Sequence, residues 1–286
     1  MIWLIGCRGM LGTEVARQLD ERKIDFVGTD REVDFTDEKS TAEFVEGKKI
    51  DFIINCAAYT AVDKAESDFE MAQKLNVEGP KNIARLAKKI GAVLIHISTD
   101  YVFDGEGEEP WKVDDKRNPL NVYGLSKCKG EEAVERWLEK YFIVRIAWVF
   151  GQNGHNFINT MLNLGKTHDK LTVVSDQIGT PTYTYDLARL LVDMIESDKY
   201  GIYHATNEGG YISWYDFTVE IMKQAGRFDK DYLDVSVEPV GSDAYPAKAK
   251  RPSNSRMDKS KLSINGFEPL PDWKDALKRY LDIKMK

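Results

Sequence analysis

The first dozen residues constrain the fold more than any other stretch. Met1 to Gly6 is a short apolar run, and Gly6-Cys7-Arg8-Gly9-Met10-Leu11-Gly12 follows at once. Leu11, Val15 and Leu19 then recur at four-residue spacing, the period of one helix face. Strand, glycine turn and helix in direct succession is the context that gives a glycine motif meaning. The spacing is Gly-x-x-Gly-x-x-Gly, not the Gly-x-Gly-x-x-Gly of the standard dinucleotide fingerprint. The physical roles are similar. Gly6 permits the tight turn, Gly9 lets backbone approach a pyrophosphate, and Gly12 allows close helix packing. The helix N-terminus offers amide donors and partial positive charge to phosphates. A plain glycine-rich turn has the same letters, so the rest of the chain has to separate the two readings.

The alternation continues. Ile24 to Asp30 reads as a second strand ending in an acid, and Asp30 lies 24 residues after Gly6. That is near the roughly 20 expected for a carboxylate that takes a ribose 2′-OH. Such a carboxylate favours NADH, while Arg31 beside it keeps NADPH open. Asp34-Phe35 follows in a polar loop that either meets an adenine or precedes a helix cap. Asp51 to Asn55 is a third strand, followed by Cys56-Ala57-Ala58-Tyr59-Thr60, where small residues leave room for a cofactor. Asp68 to Gly91 reads as helix with a break at Pro80, which needs a helix end or a first-turn position there. Ala92 to Ser98 is a fourth strand, apolar enough for burial on both faces. A charged loop, Glu106 to Asn121, leads to a helix from Tyr123 through Trp137, then to an apolar strand, Phe142 to Phe150.

Alternating strands and helices predict an α/β fold, a Rossmann-type doubly wound parallel sheet. Such a sheet binds ligands outside the carboxyl ends of its strands. Gly6, Asp30, Ala57, Thr99 and Trp148 all fall at such ends. The expected division is a dinucleotide-binding domain over 1–150 and a substrate-binding lobe over 151–286, with segments near 171–205 returning to the main sheet. The lobe's shorter elements include helices over Phe157 to Leu164, Tyr185 to Ile195, Trp214 to Gln224 and Trp273 to Leu281.

Within this frame Tyr123-Gly124-Leu125-Ser126-Lys127 carries chemistry. Four residues apart on a helix, phenol and ammonium share a face. A cation there is expected to lower the phenol's pKa and make it a usable acid or base. A surface tyrosine beside a solvated lysine has the same spacing.

A net charge of −7 argues against nucleic acid or an anionic membrane as the main partner. No apolar run approaches the roughly 18 residues of a membrane span, and Met1 leads into no basic signal region, so the expected location is the cytoplasm. Three widely spaced cysteines and four scattered histidines show no metal-ligand spacing, so no metal is expected. Cys128 beside Lys127 is a candidate for a lowered thiol pKa. Ala247 to Arg256 carries four basic residues and no acid, which suits a diphosphate, or equally a solvated loop.

Taken together, Gly6-x-x-Gly9-x-x-Gly12, Ser98-Thr99-Asp100-Tyr101-Val102-Phe103-Asp104-Gly105, Tyr123-x-x-x-Lys127 and Arg251-Pro252-x-Asn254-Ser255 resemble the extended short-chain dehydrogenase/reductases. More narrowly, the chain resembles the dTDP-4-dehydrorhamnose reductase family over nearly its whole length. The resemblance implies NAD(P)H-dependent reduction of a nucleotide-sugar C4 ketone, to which Tyr123 gives a proton. It further implies that Lys127 holds the nicotinamide ribose and that Thr99 polarises the carbonyl. Gly9-Met10-Leu11, Asp30, Asp34-Phe35 and Ala58-Tyr59-Thr60 would line the dinucleotide. Asp100 and Trp148 would face the sugar, and Arg251 and Asn254 would contact the substrate. Family members can form homodimers, but no stretch here marks an interface. Two rival readings share the fold: a nucleotide-sugar dehydratase or epimerase, and a non-catalytic subunit such as the methionine adenosyltransferase beta subunit. The first lacks its acid here, since Tyr101 stands where dehydratases typically have Glu. The second has no need of Thr99, Tyr123 and Lys127.

Overall fold

The structure, a computed structural model, describes residues 1–286. Six strands form one sheet: β1 (Ile2–Ile5), β2 (Phe26–Thr29), β3 (Phe52–Asn55), β4 (Val93–Thr99), β5 (Tyr141–Ile146) and β6 (Gly201–His204). Their order is β6-β5-β4-β3-β1-β2, and every neighbouring pair is parallel. The helices of eight residues or more are α1 (Met10–Glu21), α2 (Glu38–Val45), α3 (Gly79–Ile90), α4 (Val122–Trp137), α5 (Phe157–Gly165), α6 (Thr184–Ile195), α7 (Trp214–Ala225) and α8 (Trp273–Lys284). No helix is long and apolar enough to cross a membrane.

Strand alternation divides the core in two. Ile2 and Leu4 of β1 pack with Val15 and Leu19 of α1 and Leu187 and Leu191 of α6. Trp3 and Ile5 point the other way, toward Ile83 and Ala87 of α3 and Val134 of α4. Both faces are covered, which is why the central strands read as unbroken apolar runs. A separate cluster around Phe150, Ile158, Phe217, Trp273 and Tyr280 makes the core of the second half.

Two expectations about elements need correction, and a third resolves to one of its alternatives. Phe142 to Phe150 is not one strand. The backbone of Trp148 adopts φ 50, which ends β5, and Val149–Phe150 pairs instead with Thr182–Tyr183. Pro80 takes the first-turn alternative, not a helix end. It sits in the first turn of α3, where a missing N–H costs nothing, and the irregularity is a π turn over Lys74–Glu78. That turn seats the buried Asn76, whose amide bonds both backbone groups of Tyr59 and the Ser126 hydroxyl. Finally, of the segments near 171–205, Gly201–His204 joins the main sheet, whereas Lys170–Val174 pairs with Ser236–Val240 away from it.

One buried ion pair ties α4 to the sheet. Arg145 on β5 donates Nε and Nη2 to the two oxygens of Glu131 at 2.9 and 2.7 Å, and Nη1 to the Val113 carbonyl at 3.0 Å. Both side chains are almost wholly buried. Burial pushes the Glu131 carboxyl up, but Arg145, with the Ser98 hydroxyl and Arg117, more than offsets this and holds it below its ordinary value. The stability this pair contributes is therefore present above the unfolded glutamate pKa and is lost as pH falls through the lower folded value. Arg145→Leu leaves Glu131 with only the half-buried Arg117. It should cost about 3–5 kcal/mol in urea unfolding, because a buried carboxylate loses its bidentate partner.

Candidate active site

A cleft of about 880 Å³ opens along the carboxyl ends of β1 to β5. At one end lies the glycine turn. Gly6 has φ 76, and a side chain at Gly12 would place its Cβ 2.0 Å from the Gly6 carbonyl oxygen, so α1 can only approach β1 this closely with glycine there. The helix starts at Gly9 with no side-chain cap and no acid in its first turn. Its first amides therefore face the cleft without a side-chain acceptor, a donor set that fits a pyrophosphate.

The ribose and adenine candidates lie beside it. Asp30, at the end of β2, accepts from the Arg8 amide at 3.3 Å, while the Arg8 guanidinium meets Glu32 at 3.2 Å. Asp34 pairs with Lys74 at 3.2 Å, and Phe35 is buried with an edge on the cleft. Ala57, Ala58 and Thr60 line the next section. Tyr59 does not: its phenol donates to Asp68 at 3.1 Å and its ring packs on Ala65 and Ala72, behind the wall.

At the centre stand Thr99, Asp100, Tyr123 and Lys127. Thr99 ends β4, and its hydroxyl donates to the buried Asp100 carboxylate at 2.9 Å. Burial pushes Asp100 up to about 6, against the pull of the Ser255 and Thr99 hydroxyls. The expected pairing of Lys127 with Tyr123 takes a different form. The Lys127 ammonium donates to the Ile97 carbonyl of β4 at 2.6 Å, and burial lowers it to about 8. The Tyr123 phenol is raised, not lowered. Burial dominates, the Thr99 hydroxyl acts to lower it, and Asp100 and Tyr101 raise it further. Helix spacing brought the two residues to one face, but the low dielectric of that face outweighs a cation aimed at a carbonyl.

Trp148 and Trp214 close the far end, their rings stacked at 3.8 Å between centroids and 18° between planes.

The family model described as the RmlD substrate binding domain matches residues 1–285. A dTDP-4-dehydrorhamnose reductase of Escherichia coli (strain K12) is 39% identical over 295 residues, covering 98% of this chain and 97% of the relative. The chain belongs to the dTDP-4-dehydrorhamnose reductase family. Two solved structures of that family follow it closely. The Clostridium acetobutylicum reductase has a TM-score of 0.94 and 43% identity, covering 100% of this chain and 99% of its own. The Bacillus anthracis reductase, in complex with NADP, has a TM-score of 0.91 and 36% identity, covering 99% and 98%.

Within this reductase-family chain, two of the substrate candidates lie off the cleft wall. Arg251 ion-pairs with Asp63 at 2.6 Å and donates to the Tyr101 hydroxyl at 3.3 Å, one residue removed from the cleft. Asn254 is buried and fully engaged. It donates to the carbonyls of Glu106 and Glu109, and its oxygen accepts from Arg256, so it fastens the Glu106 loop. Lys248 and Lys250 of the same basic stretch are exposed. Conversely, Tyr101, Lys74, His155 and Trp214 line the cleft without having been singled out for it. Tyr101 was flagged by its motif, but no local pattern marks Trp214 or His155.

The Cys128 thiol is also corrected. Burial and then the Glu132 carboxylate push it up to about 11. Folded protein treated with iodoacetamide at about pH 7.5 should keep Cys128 unmodified while denatured protein loses it, because only the thiolate reacts. Peptide mass spectrometry reads the difference.

Proposed function

We propose that this chain reduces the C4 ketone of dTDP-4-dehydro-L-rhamnose to dTDP-L-rhamnose with NADH or NADPH, as part of nucleotide-sugar supply for cell-surface polysaccharide in the cytoplasm. The observation that carries the reading is the meeting of two sets of residues in one cleft. An uncapped helix N-terminus behind a glycine turn faces Thr99, Tyr123 and Lys127 across it. Residues 1–150, with the strand over 201–204 at the sheet edge, would hold the dinucleotide, and most of 151–286 the sugar nucleotide. Gly6, Gly9, Met10, Leu11 and Gly12 would form the phosphate cradle. Asp30 would take the adenine ribose, with Asp34, Phe35 and the Ala57 to Thr60 stretch alongside.

When bound, the reduced nicotinamide supplies the hydride. The chain's own residues do the rest. A phenol held above its ordinary pKa stays protonated at neutral pH, as a general acid must. It gives up its proton only to something more basic, and the oxygen of a ketone being reduced becomes that. Thr99 Oγ1, whose one hydrogen lies on Asp100 in the free chain, turns it to the same oxygen and polarises the carbonyl. Lys127 Nζ uses one hydrogen on the Ile97 carbonyl, which leaves two for a ribose diol, and its charge offsets the phenolate as it forms. Asp100 and Trp148 face the sugar. Arg251 reaches the diphosphate by exchanging Asp63 for it.

The test is oxidation of NADH and of NADPH with dTDP-4-dehydro-L-rhamnose. Tyr123→Phe should lower kcat by about a hundredfold or more and leave dinucleotide affinity unchanged. Wild-type turnover in that variant removes Tyr123 from the acid role. A wild-type chain that binds dinucleotide and turns over no sugar nucleotide instead supports a non-catalytic subunit.

The lysine adds a pH signature. Its protonated form holds the ribose and exists below its folded pKa, so kcat/KM for NADPH should fall as pH rises through about 8. Lys127→Met should lose that limb and be weaker throughout.

A further inference from the structure

Trp148 is a bulky residue with φ 50, a left-handed backbone that is uncommon outside glycine and persists only where its surroundings over-determine it. Those surroundings can be named. Thr182 fixes the backbone on both sides: its hydroxyl donates to the Ala147 carbonyl at 2.6 Å and its amide to the Trp148 carbonyl at 3.2 Å. The indole itself is confined by two other groups. Trp214 stacks on it at 3.8 Å. Gly179 lies so close that an added Cβ would meet indole Cε2 at 3.0 Å and Cζ2 at 3.1 Å. Trp214 is in turn backed by Phe157, with centroids 4.4 Å apart, and is the first residue of α7, whose N-terminus is fixed by the Ser213–Asp216 capping box. Ser213 pairs with Ile178 in the short ladder that also carries Gly179, so both groups belong to one paired unit.

We propose that Trp214 and Gly179 are positioning residues that hold the Trp148 indole as a fixed platform at the sugar end of the cleft. The inference deepens the proposed function and rests on its assignment of that end to the nucleotide sugar. Trp214 covers one face of the indole, so the platform is the part of the ring left on the cleft, and the C–H face of a pyranose is the ligand chemistry that suits it. Neither Trp214 nor Gly179 touches the reacting carbon. Their part is to deny Trp148 other rotamers, so that substrate binding does not have to order the ring.

Trp214→Ala should raise KM for dTDP-4-dehydro-L-rhamnose by about threefold to tenfold while KM for NADPH stays within about twofold. Trp214→Phe, which keeps a stacking ring, should recover most of the loss. Gly179→Ala keeps both tryptophans but crowds the indole, and the Ser255 Cβ beside it, and it should reproduce the effect. Near-ultraviolet circular dichroism reports the coupled indole pair directly and should change in all three variants, most in Trp214→Ala. Titration of dTDP-L-rhamnose against tryptophan fluorescence gives a binding readout that needs no turnover. A wild-type chain that neither binds this product nor turns over the substrate sinks the proposed function itself. A wild-type chain that binds it, with Trp214→Ala and Gly179→Ala binding equally well, sinks the platform alone. A uniform loss of NADPH and sugar-nucleotide affinity would mean Trp214 serves only the fold, and it too overturns the proposal.

Discussion

One helix face governs the arrangement of the site. Tyr123, Lys127 and Glu131 stand at four-residue intervals along α4, and all three turn inward toward the sheet. Polar groups placed there need partners, and β4 and β5 supply them in register. Glu131 takes Arg145, Lys127 takes the Ile97 carbonyl, and the Tyr123 phenol lies against the Thr99 hydroxyl. Because Ser98 pairs with Arg145 and Thr99 with Ile146 across the strands, these contacts set how far α4 slides along the sheet. A shift of one turn would strand a carboxylate and an ammonium in a low dielectric at once. The reacting groups are thus positioned by the cost of misplacing their neighbours.

Two close backbone approaches complete the frame. Gly12 lets α1 sit on the carbonyl of Gly6, which aims its first amides at the cleft. Gly130 plays the same part for α4, since a Cβ there would lie 2.3 Å from the Asn76 carbonyl oxygen. Asn76 then holds Tyr59 out of the cleft and Ser126 against the π turn. The left-handed kink at Trp148 does the corresponding work at the other end. It stops β5, turns the chain out of the sheet and brings the second core alongside the first.

Much of the fold was legible locally. The strand–turn–helix opening, the uniformly apolar β4 and the alternation through β5 specify a parallel sheet covered on both faces, and the sheet has that form. The motifs also put the glycine turn, Thr99, Tyr123, Lys127 and Trp148 at strand ends or on the helix facing them, and all of these line the cleft except Gly12, which packs beneath it. What misled was charge. The Tyr–Lys spacing and the Lys127–Cys128 neighbourhood both suggested lowered pKa values, but burial reverses the sign for the phenol and the thiol. The resemblance implied substrate contacts for Arg251 and Asn254; in the free chain one is engaged by Asp63 and the other by loop carbonyls.

Sequence alone determined the period of each element, the glycines where backbone must touch backbone, and the chemical kinds of side chain available at the strand ends. Those depend on residues a few positions apart, where helix and strand geometry fix who meets whom. The tertiary structure decided which way each charge points, how deeply it is desolvated, and that Trp214 and Gly179 flank Trp148. Such facts arise between segments far apart in the chain, and electrostatic energy depends on the dielectric and partners found there, which no local pattern encodes.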